Sequence, residues 1–167
     1  MPAFSTRHVT ETTAMQQQSF RLFADYFQFY LWDEGVGPDA TIEWDDADLQ
    51  RRIKVAPHIV VVCPVRNMEV PVEIQVHDAE PPYDANRWHH IAECSLDLPS
   101  GKLQVHECTG GSVGRFTVLP GTYRVRAFYG ALDTLRDDDL DGDDHYLVVL
   151  WPGPARPSRS LSNTHDP

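Results

Sequence analysis

Fourteen of the chain's 25 acidic residues fall in two short stretches, seven from Asp33 to Asp48 and seven from Asp133 to Asp144, the second opposed by one base, Arg136. Carboxylates this dense repel one another, and salt screens that repulsion only beyond about 8 Å at physiological ionic strength. Three uses fit the pattern: a solvated surface, a cation site, or an electronegative face that docks on a basic partner. For the cation, Asp137, Asp139, Asp141 and Gly142 match the first half of a calcium-binding loop. The closing carboxylate is missing, because its place falls on Val148, inside a predicted strand, and no helical pattern precedes Asp137. No metal and no cofactor is therefore expected. The docking reading takes Asp33, Glu34, Asp45, Asp46, Asp48, Asp133, Asp137, Asp138, Asp139, Asp141, Asp143 and Asp144 as partner-binding candidates.

Other chemistry finds less support. His77, His89, His90 and His106 lack the spacing of a metal site: His77 and His106 fall on predicted wet faces, and adjacent His89 and His90 point to opposite sides of any strand. Cys63, Cys94 and Cys108 are an odd number without close pairs, and read as buried thiols. Ser95 and Ser100 lack the glycine-flanked turn of a nucleophilic serine. Gly110-Gly111-Ser112-Val113-Gly114 has no phosphate-binding lysine and reads as a flexible connection. No catalytic residue is assigned, and a metal-dependent enzyme is the least supported alternative.

The whole-chain balance narrows the partner. A net charge of −11 and a pI near 5.0 repel phosphate backbones, so direct nucleic-acid binding is not expected. The longest apolar run, 59–63, is far short of the roughly 20 residues a membrane helix needs, and residues 1–18 have no apolar segment of a secretory signal. A cytoplasmic location is the expectation. At 167 residues, folding can bury about 70% of the unfolded surface, which suits one domain.

The elements that must position these residues alternate with period two between Gly, Pro and Asp punctuation, the mark of an all-β chain. Residues 20–32 read as a bent strand or two strands, with Phe27, Phe29 and Leu31 on one face. Asp45 or Asp46 caps a short helix over 46–53, with acids in its first turn and arginines in its last. Ile59 to Val62 suits a central strand covered on both faces, and Val70, Val72, Ile74 and Val76 a half-buried one. Hairpins turn at Pro99-Ser100-Gly101 and at Leu119-Pro120-Gly121-Thr122, and Tyr146 to Trp151 closes the domain. The expected fold is an antiparallel β-sandwich of about eight strands with one short helix, over 19–152. Residues 1–18 are read as flexible. Residues 153–167, with three prolines and one leucine, are read as a disordered tail.

The order of Tyr26-Phe27-Gln28-Phe29, Trp44-Asp45-Asp46, the turn and strand Pro120 to Arg126, and Asp144 to Leu150 resembles the competence protein J family, small acidic all-β inhibitors of a DNA-entry nuclease. The resemblance implies inhibition by binding: an acidic face of a rigid sandwich blocks the basic substrate groove of a nuclease. A β-sandwich module that binds another protein or a small ligand is the alternative.

Overall fold

A computed structural model describes residues 15–38 and 43–161 of the chain; the expected flexible residues 1–14 and tail residues 162–167 lie outside the described residues. In chain order the strands are β1 Gln16–Phe23, β2 Phe29–Asp33, β3 Ile53–Ala56, β4 Ile59–Val62, β5 Glu69–Val76, β6 His90–Leu98, β7 Lys102–Glu107, β8 Gly111–Thr117, β9 Gly121–Gly130, β10 His145–Pro152 and β11 Arg159–Ser160. The one α-helix, α1, is Asp46–Arg51. The strands form two sheets, ordered β1-β5-β10-β9-β6-β11 and β3-β4-β2-β7-β8. Neighbours are antiparallel except β5 and β10, which run parallel. The apolar faces meet in one core, in which Phe29 and Leu31 of β2 pack with Val72 and Ile74 of β5 and Val125 and Tyr129 of β9. The all-β expectation holds.

Eleven strands among the described residues replace the expected eight, for local reasons. The helix stops at Arg51 because Arg52 takes a left-handed φ of 57°, freeing buried Ile53 to begin β3. The glycine run is part of a strand, not a flexible connection: Gly114 in β8 leaves room for the Phe20 ring of β1, which an added Cβ would meet at 2.6 Å. Pairing also runs past the expected 19–152. β1 begins at Gln16, and residues 153–161 cross the outer face of the first sheet to place β11 against Ala92 and Glu93. Phe27 is not on the core face, because a single 3-10 turn, Asp25–Phe27, separates β1 from β2.

The registers define two ends. At one, the hairpin end, β3 turns back to pair with β4, and β6 turns into β7 and β8 into β9. Those last two turns pass from one sheet to the other, so the hairpins expected at 99–101 and 119–122 are instead crossings between the sheets. At the other, the helix end, lie the β1–β2 turn, the β4–β5 loop and the β9–β10 loop. α1 sits there too, since the Arg51 carbonyl accepts from His90 Nε2 at 2.7 Å and the Arg52 carbonyl from the Tyr129 hydroxyl at 2.6 Å.

Candidate partner-binding surface

The structure divides the twelve candidate carboxylates into two groups. Asp33, Asp48 and Asp144 are buried and serve the fold, which corrects their assignment to a partner surface. Asp33 sits at the hairpin end and accepts from the backbone N–H of Val36 and Ser100, both at 2.9 Å. Burial pushes its pKa up, but those backbone donors outweigh it and hold the carboxyl below its ordinary value. Asp48 closes a capping box with Asp45 at the start of α1 and pairs with Arg51 and Lys54, each at 2.8 Å. Its pKa is also lowered: burial works upward, and the Lys54 ammonium and the Asp45 backbone N–H work downward and prevail. Asp144 accepts from Arg66 Nε and from the Tyr146 hydroxyl, both at 2.6 Å. Glu34, also at the hairpin end and half-buried, is paired with Arg115.

The remaining eight, Asp45, Asp46, Asp133, Asp137, Asp138, Asp139, Asp141 and Asp143, are exposed, and all lie at the helix end. α1 and the β9–β10 loop flank the start of β6, where His90 bonds to the helix and the His89 ring accepts from Leu132 N–H at 2.8 Å. The loop is tied to itself. Thr134 donates its hydroxyl to Ala131 O at 2.6 Å and accepts from Asp143 N–H at 2.8 Å, while Arg136 N–H bonds to Asp141 O at 2.9 Å. Arg66 crosses from the β4–β5 loop to Leu140 O at 3.2 Å and so fastens the loop to the sandwich. The result is a row of carboxylates on a held backbone, with Arg136 paired to Asp141 at 3.3 Å.

As a calcium loop the same residues fit poorly. Asp138 and Asp141 each spend an oxygen on a nearby backbone N–H, of Leu140 and Gly142. No group of three or more His, Cys, Asp or Glu among the described residues is placed to hold a metal ion. The cysteines are free. Burial pushes the Cys94 thiol up to about 12, which keeps it protonated and unreactive at neutral pH. Cys63 and Cys108 are only partly buried.

A second charged group lies apart from the twelve candidate carboxylates. On the outer face of the first sheet, buried Glu93 of β6 pairs with buried Arg124 and Arg126 of β9 and, at 3.5 Å, with Arg159 of β11. The Arg126 guanidinium lies between the rings of Tyr83 and Trp151, 4.3 and 4.5 Å from their centroids. This group fastens residues 153–161 and the β5–β6 loop onto the sheet and presents no open face. Alternation marked these residues as outward, and only the covering segments made them buried.

No family model and no curated protein matches the chain. Among solved structures it is similar to ComJ, inhibitor of the DNA-degrading activity of NucA, from Bacillus subtilis, with a TM-score of 0.63 and 12% identity over 83% of this chain and 96% of that one. It is also similar to a protein described as crocagin biosynthetic gene J, with a TM-score of 0.56 and 19% identity over 84% of this chain and 99% of that one. The chain thus has a ComJ-like fold, matched over most of this chain and nearly all of each neighbour.

Proposed function

From that shared fold, we propose that the protein is a non-enzymatic inhibitor that binds a DNA-degrading nuclease through its acidic helix end and closes the nuclease's basic substrate groove. The observation that carries the reading is the gathering of eight exposed carboxylates at one end of a ComJ-like sandwich. Charges on a held loop are preorganised to stand where DNA phosphates would lie. Their field also steers a cationic groove into encounter, which raises the association rate. The test adds purified protein to DNA-degrading extract of the native host and follows DNA survival. The expected result is protection that saturates at a fixed ratio to one nuclease, with association slowed by charge reversal at Asp137, Asp139 and Asp143. Undiminished degradation at every dose would overturn the reading.

A second reading, a module for a small ligand, has one observation in its favour. A cleft of about 410 Å³ lies between the β3–β4 turn and β6, lined by Val55, His58, Ser95, Asp97, Thr122 and Ala155 among others. That volume suits a small molecule. Its walls hold no convergent set of charged groups, and the acidic end plays no part in it, so the inhibitor reading is preferred.

A further inference from the structure

We infer that the turn between β1 and β2 is the apolar anchor of the helix end, and that it inserts Tyr26 and Phe27, backed by Phe23, into an apolar pocket rimmed by basic side chains on the partner nuclease. The inference rests on the inhibitor reading and names the residues that carry its affinity. Tyr26 is 67% exposed, Phe27 44% and Phe23 39%, three large rings at one corner of the fold. Tyr26 and Phe27 have φ of 56° and 59°, the left-handed region that bulky L-residues seldom occupy. The strain is held from behind. Ala24 is buried and donates its N–H to Met68 O at 3.0 Å, and Phe27 N–H returns to Ala24 O at 3.0 Å. The Asp25 carboxylate accepts from the Thr109 hydroxyl at 2.8 Å and from Tyr26 N–H at 3.1 Å, and Glu107 accepts from Phe23 N–H. Glycine or asparagine would take those φ values at lower cost, and folding gains little from rings left in water. A local rule broken without a folding benefit marks a functional position, and exposed clustered aromatics are the side chains that dominate protein interfaces.

Position and charge choose the occupant. The β4–β5 loop joins this turn to the acidic loop within three residues, since Arg66 holds Asp144 and Leu140 O while Met68 O holds Ala24. β1 lies two strands from β10, about 10 Å away, so one interface of ordinary size covers both features. Rings beside a row of carboxylates complement a basic surface with an apolar pocket, and like charge opposes a second copy of this chain. The test compares wild type, Tyr26→Asn with Phe27→Asn, and Asp137→Asn with Asp139→Asn and Asp143→Asn against the nuclease that wild type inhibits. Asparagine tolerates the left-handed region, so the aromatic variant should melt at or above the wild-type temperature. Its inhibition should weaken about thirtyfold or more, chiefly through faster dissociation, whereas the acidic-loop variant should lose association rate. If the double variant melts lower, Tyr26→Asn alone is read. Full inhibition by the aromatic variant overturns the anchor and leaves the inhibitor reading standing. A wild-type dimer that Tyr26→Asn dissolves also overturns it, in favour of self-association. A wild type that inhibits no nuclease overturns both.

Discussion

Asp144 and Asp137 lie seven positions apart in one acidic loop and do opposite work. Asp144 is buried, with one oxygen on Arg66 and the other on the Tyr146 hydroxyl, and its loss would strand a buried guanidinium. Removing one partner of such a pair costs about 3–5 kcal/mol, whereas an exposed surface change stays within about 0.5 kcal/mol. We therefore expect Asp144→Ala to lower unfolding stability by about 3–5 kcal/mol and Asp137→Ala to leave it nearly unchanged. Urea denaturation of the two variants is the check, and equal losses would show the division of the carboxylates to be mistaken. Sequence alone offers little to tell these residues apart, because the distinction is made by Arg66, 78 positions upstream of Asp144.

At the level of elements, the C-terminal segment is where structure and composition disagree most. Composition reads residues 153–167 as too poor in apolar side chains to become ordered. Yet Leu161 packs on Ile91, Phe128, Val149 and Trp151, its N–H bonds to Ile91 O at 2.9 Å, and Arg156 N–H bonds to Ser95 at 3.0 Å. One half-buried leucine and a few hydrogen bonds of about 0.5–1.5 kcal/mol each suggest that deleting 154–167 costs roughly 2–4 kcal/mol. A loss under about 0.5 kcal/mol in equilibrium denaturation would return the segment to the surface class. The helix shows the reverse case. A cap at Asp45 or Asp46 was legible, because capping is local, and the structure places it at Asp45; the end at Arg51 was not, because Ile53 is drawn into β3 by pairing with Val62.

Across the whole molecule, the shifted groups that titrate below neutral pH tie stability to pH with a single sign. Burial lowers the pKa of His90 and His77, so the unfolded chain takes up protons below about 6.5 that the folded one resists. Asp33, Asp48 and Glu93 also have lowered pKa values: burial opposes the shift, while backbone donors for Asp33, Lys54 for Asp48, and Arg124 and Arg126 for Glu93 overcome it. Their contribution is complete above the ordinary carboxylate range near 4 and is lost as pH falls through the depressed folded values. Both groups make the unfolded state the better proton binder, so stability should fall from neutral pH in two limbs, below about 6.5 and below about 4. Urea midpoints between pH 7 and pH 3 test this, and a midpoint that is flat or rises toward acid would contradict it.

Strand alternation, the places where the chain turns at 99–101 and 119–122, and the helix cap were determined by the sequence itself, because each depends on residues within a few positions of one another. That those two turns cross between sheets instead of closing hairpins was decided by tertiary pairing. Val70 to Val76 alternate inward and Gly101 takes its turn at φ 67° for reasons visible in their own segments. Which acidic residues face a partner was decided only in three dimensions. The two acidic stretches are alike in composition, but the chain enters the first at the hairpin end through Asp33 and leaves it at the helix end through α1. That path splits the first stretch between the two ends and brings Asp45 and Asp46 to the same end as the β9–β10 loop. The exposure of Tyr26 and Phe27 has the same origin. Their pattern is that of a strand, and the turn that lifts them out is imposed by Met68, Glu107 and Thr109, residues distant in sequence that fix the backbone behind them.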